Sequence, residues 1–175
     1  MPDQWRGDCL SAVGHPVVRT ECLDALAKEG ALFRRAYTTV PSCIPARFAL
    51  LTGQFPQTSG VVGYKAKKIA VPTLPALLRD AGYATVLVGR NMHQLAGSDL
   101  GYQQEILGST YVADDAYDKS LNAAASKTVG IRQLVADLGL TNNGWRAAPW
   151  PLSDNLHPTA WIVRESRRIV DETPA

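Results

Sequence analysis

Apolar positions follow two different spacings along the chain, and these spacings predict the secondary structure. Five segments carry apolar residues every three or four positions, which is the period of an α-helix with one buried face. The predicted helices are residues 20–30, 45–53, 73–82 and 129–138, and a last helix that starts at Thr159. Thr73, before Pro75, and Thr159 are the expected N-caps of their helices. Two short apolar runs, residues 32–37 and 84–88, predict strands instead.

The order of these elements indicates the fold class. Residues 73–90 run from a helix through Gly82 into the apolar segment 84–88, whose β-branched residues are typical of a buried parallel strand. The sequence therefore predicts an α/β fold, with a layered, mixed but mainly parallel sheet flanked by helices. In such folds ligands bind at the carboxyl ends of the strands. Neither a repeat nor a linker divides the chain, so residues 1–175 are predicted to form a single domain.

One predicted helix begins with reactive and charged residues. Pro45 suits a first helical turn, where its missing N–H costs nothing, and Gly53 can end the helix in a left-handed conformation. Cys43 is therefore expected at or just before the N-terminus, where unpaired N–H groups and the helix dipole favour an anion. Arg47 follows one turn later and can point to the same place. Together these groups suit sulfate or phosphate, whereas the simpler alternative is a structural cysteine beside a solvated arginine.

Composition narrows the classes of protein to which the chain can belong. Apolar residues make up 46% and charged residues 19% of its 175 residues, as in an ordinary globular domain. The formal net charge of +2 gives no support for a nucleic-acid partner or a polybasic membrane anchor. Three cysteines without close pairing argue against a disulfide framework or a zinc cluster. No apolar run is long enough to span a bilayer.

Two charged segments outside the predicted elements each allow two interpretations. Three lysines within residues 65–68 lie in the predicted loop 54–72 and can attract an anionic substrate, although such clusters more often form a solvated surface. Three aspartates within residues 114–118 have a spacing that matches no metal-binding loop, so a solvated acidic loop is favoured over a cation site. Neither segment identifies a function by itself.

The segment from Cys43 to Gly53 resembles the signature of the type I sulfatases. It matches C-x-P-x-R-x-x-x-x-T-G at every defined position. In that family a separate formylglycine-generating enzyme converts the cysteine to formylglycine. The resemblance implies an alkaline-phosphatase-like α/β fold and hydrolysis of a sulfate ester, in a small molecule or a sulfated sugar. It also implies catalytic roles for Cys43 and Arg47, through nucleophilic attack and binding of the sulfate oxygens.

The resemblance implies a metal site that begins near the start of the chain. The run from Asp3 to Leu10 is similar to the segment that follows the first apolar strand of sulfatases, which delivers metal ligands at its carboxyl end. On this basis Asp3 is the first expected ligand, and Gln4 stands where many relatives have a second aspartate. The modified Cys43 is the third expected ligand within this chain. The implied cation is Ca²⁺, with Mg²⁺ as the alternative, since both prefer oxygen ligands. The other interpretation of Asp3 is a frayed, solvated terminus.

Residues 89–93 resemble a second sulfatase segment, directly after the predicted strand 84–88. The family usually carries Gly-Lys-x-His there, with the lysine and the histidine reaching the sulfate and the leaving oxygen. Here Arg90 replaces the lysine, and His93 lies one residue later than usual. Arg90 can bind an oxyanion but cannot readily donate a proton, so His93 is the better candidate for the general acid. The alternative is a loop arginine beside a structurally hydrogen-bonded histidine.

The resemblance extends from about Asp3 to the C-terminal helix, which corresponds to the N-terminal portion of a sulfatase catalytic domain. We therefore expect truncation at both ends, with later metal ligands and basic active-site residues missing. The chain as written implies a cytoplasmic location, and a missing leader would imply a periplasmic or secreted one. Three functions stay open: a sulfuric ester hydrolase, a phosphonate or phosphodiester hydrolase of the same superfamily, and a non-catalytic module that keeps the Cys43 thiol and only binds anions.

Overall fold

The computed structural model describes residues 1–3, 5–65, 67–91, 99–110, 112–125, 130–141 and 144–173. Its helices are α1 (Glu21–Glu29), α2 (Cys43–Thr52), α3 (Pro56–Ser59), α4 (Leu74–Asp80), α5 (Ala116–Ala124), α6 (Ile131–Asp137) and α7 (Pro158–Glu172). Its strands are β1 (Val86–Gly89) and β2 (Gln104–Leu107), and single 3₁₀ turns span Ser11–Val13 and Asp154–Leu156. The chain divides into two compact units, Met1–Thr38 and Thr39–Ala175. The prediction of a single domain stays a prediction.

In the unit Met1–Thr38, one carboxylate joins the first 3₁₀ turn to α1. Asp24 accepts hydrogen bonds from the Ser11 hydroxyl at 2.7 Å and from the Thr20 hydroxyl at 3.0 Å. The backbone N–H of Ala12 donates to the same carboxylate at 3.0 Å. The hydrogen bond from Ser11 is the main reason why the pKa of Asp24 is lowered. The predicted bounds of this helix are confirmed, with Thr20 before its first residue and Gly30 after its last.

The strand predicted over residues 32–37 is wrong. The structure has a turn at Arg34–Arg35 in this segment, and the side chains of Phe33 and Tyr37 are 79% and 87% exposed. A strand is stable only when its backbone groups pair with a neighbouring strand. Within the described residues this segment has no such partner, so its apolar residues stay in irregular structure.

The unit Thr39–Ala175 contains the parallel strand pair. Val86 of β1 is in register with Gln104 of β2, and the pairing continues to Gly89 and Leu107. The strand predicted over residues 84–88 is thus confirmed within two residues, and its parallel pairing agrees with the predicted α/β class. In contrast, β2 was not predicted, because its polar first half does not follow the pattern of a buried strand.

The main hydrophobic core lies where α7 meets α5, α6 and β2. Its buried side chains are Tyr117, Leu121, Ile131 and Trp161, and Ile106 of β2 packs against them. The rings of Tyr117 and Trp161 meet edge to face with centroids 5.5 Å apart, a favourable aromatic geometry. Burial, together with Asp115 and Asp118, raises the pKa of Tyr117 to about 12. The Tyr117 hydroxyl donates to the backbone of the Asp154–Leu156 turn at 2.9 Å.

The helix predicted from Thr159 begins slightly earlier. His157 is the residue before α7, and its Nδ1 accepts a hydrogen bond from the Thr159 N–H at 3.2 Å. Pro158 then occupies the first helical position, which suits its fixed backbone geometry. The cap is therefore a histidine side chain and not the threonine that the sequence suggested. The helix predicted over 73–82 is confirmed as α4, and that predicted over 129–138 as α6, except at Val129, which lies outside the described residues.

Asp115 and Asp118 are structural and do not form the solvated loop that the sequence suggested, whereas the side chain of Asp114 is exposed. Asp115 caps α5 by accepting a hydrogen bond from the Asp118 N–H at 2.8 Å. The buried Asp118 accepts from the backbone N–H of Ile131 at 2.9 Å and from that of Asp114 at 3.2 Å. One carboxylate thus joins the starts of α5 and α6, and the segment needs no cation to explain it.

Asp118→Ala is expected to lower the free energy of unfolding by about 1–3 kcal/mol, because the buried N–H of Ile131 loses its acceptor. Asp137→Ala is the control, since Asp137 accepts its side-chain hydrogen bond from Gln133 on the exposed surface of α6. We expect that control to change stability by less than about 0.5 kcal/mol. Urea denaturation followed by circular dichroism measures both, and equal effects of the two changes would contradict this role of Asp118.

Candidate functional site

The candidate site is built on α2, which begins at Cys43, two residues before the predicted start of this helix, so that Cys43 lies at the N-terminus as expected. Ser42 precedes the helix in an extended conformation, and its side chain forms no capping hydrogen bond with the first turn. At the other end, Gly53 adopts the expected left-handed conformation with φ of 67°, and its N–H donates to the Ala49 carbonyl at 2.8 Å. The side chain of Cys43 therefore lies at the electropositive end of a ten-residue helix.

The buried side of α2 fixes the position of this helix. Ile44 and Phe48 form a small core with Val61, and Ile69 packs against the same cluster. Pro45 is also buried. Cys43 and Arg47, by contrast, are half-buried, and Cys43 forms no disulfide. The same helix thus holds its anchor residues in the core and leaves the cysteine and the arginine partly accessible.

Arg47 acts electrostatically on Tyr102, a residue that sequence reasoning missed. Burial raises the pKa of Tyr102 and the charge of Glu105 raises it further, whereas Arg47 acts in the opposite direction. The guanidinium of Arg47 therefore lies within electrostatic range of the Tyr102 hydroxyl. The sequence showed only a turn-like Gly-Tyr pair at this point, and no local spacing relates it to α2. Tyr102 lies two residues before the start of β2 and is a candidate neighbour of any anion held at Arg47.

Arg90 follows the last residue of β1, at the predicted carboxyl end of the sheet. The Gly89 carbonyl accepts a hydrogen bond from the Gly108 N–H at 2.8 Å, so both parallel strands end side by side. Arg90 itself is half-buried. This location matches the expectation that ligand-binding residues follow parallel strands. Cys43, Arg47 and Arg90 all belong to the unit Thr39–Ala175.

The other predicted site residues are not tested by the described geometry. Asp3 belongs to the unit Met1–Thr38, while Gln4 and His93 lie outside the described residues. In the part of the chain that the structure describes, no three His, Cys, Asp or Glu side chains come together as a metal-binding group. The roles assigned to all six predicted site residues stay predictions.

Chemically, the described part of the site can bind an oxyanion. It combines a helix N-terminus with half-buried Arg47 on the same helix, and guanidinium groups bind sulfate and phosphate oxygens through paired hydrogen bonds. No described helix is both long and apolar enough to cross a membrane.

The structure resembles that of a phosphonate monoester hydrolase from Agrobacterium radiobacter. The TM-score is 0.76 at 25% sequence identity, and the match covers 99% of this chain and 37% of the hydrolase. The predicted fold class is thereby confirmed as mixed α/β of the alkaline-phosphatase-like type. The strand pair and its helices correspond to part of a larger catalytic fold.

Sequence comparisons identify the family. An arylsulfatase of Clostridium perfringens is 34% identical over 183 residues, which cover 95% of this chain and 37% of the arylsulfatase. An ulvan-active sulfatase of Formosa agariphila is 49% identical over 61 residues, covering 35% of this chain and 12% of that enzyme. The chain thus spans little more than a third of the length of the arylsulfatase. The family model described as Sulfatase matches residues 1–142. By this match and these relatives, the chain belongs to the sulfatase family of hydrolases.

Proposed function

We propose that the protein hydrolyses a sulfate ester, with Cys43 as the residue that becomes the nucleophile. One observation carries the proposal: in a sulfatase-family chain, half-buried Cys43 opens α2 and Arg47 follows one turn later. A nucleophile beside an oxyanion-binding group is the arrangement that transfer of a sulfuryl group requires. Because the chain spans 37% of the arylsulfatase's length, the activity is proposed for the whole protein.

The proposal includes conversion of Cys43 to formylglycine by a formylglycine-generating enzyme. When hydrated, formylglycine supplies two hydroxyls on one carbon, one to attack sulfur and the other to allow sulfate to leave. Family membership and the complete match to the cysteine motif support this modification. The partial exposure of Cys43 is compatible with a reactive residue that meets a substrate.

Arg47 and Arg90 are proposed to hold the sulfate. Both side chains are half-buried, so their charges act in surroundings less polar than bulk water. Each guanidinium offers a planar set of N–H donors to two sulfate oxygens. Negative charge grows on these oxygens as the ester bond breaks, so fixed positive charge stabilises the transition state more than the ground state.

Proton transfer and the cation complete the proposal. His93 is proposed to protonate the departing alcohol, since Arg90 cannot readily do so. A divalent cation, Ca²⁺ or alternatively Mg²⁺, is proposed with Asp3 and Gln4 among its ligands, because carboxylate and amide oxygens suit both ions. The proposed binding of sulfate by the two arginines and the proposed proton transfer by His93 do not depend on that cation.

A phosphonate or phosphodiester hydrolase is the second candidate function. The similarity to a solved phosphonate monoester hydrolase favours it, and the same arginines can bind either tetrahedral anion. The two functions differ in the ester that is cleaved, so parallel assays with an aryl sulfate and an aryl phosphonate separate them. We expect the sulfate to be the better substrate by kcat/KM.

Arg47→Ala is expected to lower kcat/KM for an aryl sulfate by about 10²–10³-fold, the loss typical when one transition-state donor is removed. Arg47→Lys retains the charge but loses the planar donor set, so we expect it to recover part of this loss. Both variants are assayed in the full-length protein after coexpression with a formylglycine-generating enzyme. A change of less than threefold in Arg47→Ala would remove Arg47 from the proposed site.

A further inference from the structure

A cavity beside α2 has no role in the proposed chemistry. It has a volume of about 450 Å³ and is lined by residues 60–65 and Lys67. Binding sites for small molecules usually have volumes of about 300–1,000 Å³, so this cavity is large enough for one sugar ring with its substituents. We call residues 60–65 together with Lys67 the cavity loop.

The cavity loop is attached to the helix that carries the candidate site. Val61, at its start, is buried against Ile44 and Phe48 of α2. Ile69, just after the loop, packs against the same cluster. Ile44 is the residue that follows Cys43 in the chain. Val61 therefore holds the start of the loop on α2, the helix that carries the proposed nucleophile, and Ile69 packs against the same cluster.

Hydrogen bonds give the cavity loop a defined shape. Lys67 Nζ donates to the Ser59 carbonyl at 2.5 Å, and the Ser59 hydroxyl accepts from the Val61 N–H at 3.2 Å. The Lys65 N–H donates to the Gly63 carbonyl at 2.8 Å, which forms a tight turn. Lys67 thus stabilises the loop, whereas the exposed side chain of Lys65 takes part in none of the ion pairs found among the described residues.

The lining combines an aromatic ring with a positive charge. The side chain of Tyr64 is 61% exposed, and exposed Val62 adds apolar surface to the same cavity. Aromatic and apolar surface can cover the C–H face of a sugar ring, while an ammonium group pairs with an anionic substituent. For a single exposed sulfate or carboxylate oxygen, Lys65 is a better donor than an arginine would be, because the three N–H groups of its ammonium rotate freely.

The charge distribution around the loop favours a ligand with several negative charges. Residues 39–79 contain no Asp or Glu, although this stretch contains five Lys and Arg residues. The whole chain has a net charge of only +2, so the rest of it is acidic overall. A segment that carries only positive charge raises the local concentration of polyanions. Within the unit Thr39–Ala175, this segment includes α2 and the cavity loop.

We infer that the cavity loop is a specificity subsite for a saccharide that carries a second anionic group besides the sulfate ester being cleaved. Tyr64 packs against the sugar ring, and Lys65 pairs with the second sulfate or a carboxylate. This inference rests on the proposed sulfate ester hydrolysis, which it extends to anionic saccharides as the substrate class. It assigns Lys65 a role in selecting the substrate and no role in the chemical step.

Binding can be measured without turnover in the full-length protein that carries Cys43→Ala. Isothermal titration calorimetry compares a disaccharide with two sulfates and the same disaccharide with one. We expect Lys65→Ala to weaken binding of the disulfated probe about tenfold, as expected for the loss of one charge-assisted hydrogen bond of about 1.4 kcal/mol, and that of the monosulfated probe less than twofold. Lys68→Ala is the matched control, because Lys68 is also exposed but does not line the cavity.

Equal losses for the two probes, or equal effects of Lys65→Ala and Lys68→Ala, would overturn the subsite. Tyr64→Leu provides a second test, since it keeps apolar area but loses the ring, and we expect it to weaken both probes. The subsite and the proposed function fail in different ways. Selective binding of the disulfated probe without turnover of any sulfate ester rejects hydrolysis alone, and turnover without this selectivity rejects the subsite alone.

Discussion

Cys43→Ala is expected to lower kcat for an aryl sulfate at least about a thousandfold in the full-length protein, because it removes the residue proposed to form the new bond to sulfur. Cys43→Ser is expected to lose turnover as well, since a serine has a single hydroxyl and cannot release sulfate by re-forming an aldehyde. Steady-state assays after coexpression with a formylglycine-generating enzyme measure both variants. The helix itself should persist, because its anchors are Ile44 and Phe48 and not the half-buried Cys43.

Cys22→Ala is the matched control for this prediction. Cys22 is an exposed free cysteine on α1, so its replacement tests for a general effect of losing a thiol. We expect the kcat of Cys22→Ala to stay within twofold of the kcat of the wild-type protein, because surface changes of this kind rarely disturb a site. If Cys43→Ala were as active as the wild-type protein, the proposed role of Cys43 would be contradicted.

Trp161→Ala is expected to lower the free energy of unfolding by about 3–5 kcal/mol, the typical cost of deleting a large core aromatic. Trp161 is 3% exposed and packs edge to face on Tyr117 in the main core. Its ring also lies directly against Gly108, which has no side chain that could move into the space left by the ring. Because a domain has only about 5–15 kcal/mol of stability, this change removes a large part of it.

Urea denaturation monitored by circular dichroism measures this loss. Val163→Ala is the control, since Val163 lies two positions away on α7 and is 60% exposed. We expect the control to shift the free energy of unfolding by less than about 0.5 kcal/mol. A loss below 1 kcal/mol in Trp161→Ala would show that α7 is held mainly by other contacts.

The sequence predicted five of the seven helices in the described part of the chain, because their signals are local, and missed α3 and α5. Thr73 accepts a hydrogen bond from the Ala76 N–H at 3.2 Å and caps α4, as its position before Pro75 suggested. Gly53 ends α2 in a left-handed conformation, a signal that also lies within one turn of the helix end. In each case, residues within one helical turn determine the conformation, so the pattern can be recognised without knowledge of the fold.

The strands were harder to predict because pairing depends on distant residues. The polar residues Gln104 and Glu105 give β2 little apolar pattern, yet the strand forms by pairing with β1. Residues 32–37 have the apolar pattern and form no strand in the described structure. Strand formation reflects the neighbours that a segment meets more than its own composition.

The same distinction applies to the candidate site. Cys43 and Arg47 lie one turn apart in one helix, so their spacing alone predicted their arrangement. The electrostatic influence of Arg47 on Tyr102 joins residues far apart in the chain and has no signature in the sequence. The cavity loop was recognised only as a basic segment, because its attachment to Ile44 and Phe48 depends on how the chain folds back on α2.

Mass spectrometry of the peptide that contains Cys43, after coexpression with a formylglycine-generating enzyme, shows whether this residue becomes the proposed nucleophile. We expect conversion of the Cys43 thiol to an aldehyde, while the Cys9 and Cys22 thiols stay unchanged. An unmodified Cys43, under conditions that convert the cysteine of a control sulfatase, would contradict this expectation. That result would favour the alternative in which the site binds anions without catalysis.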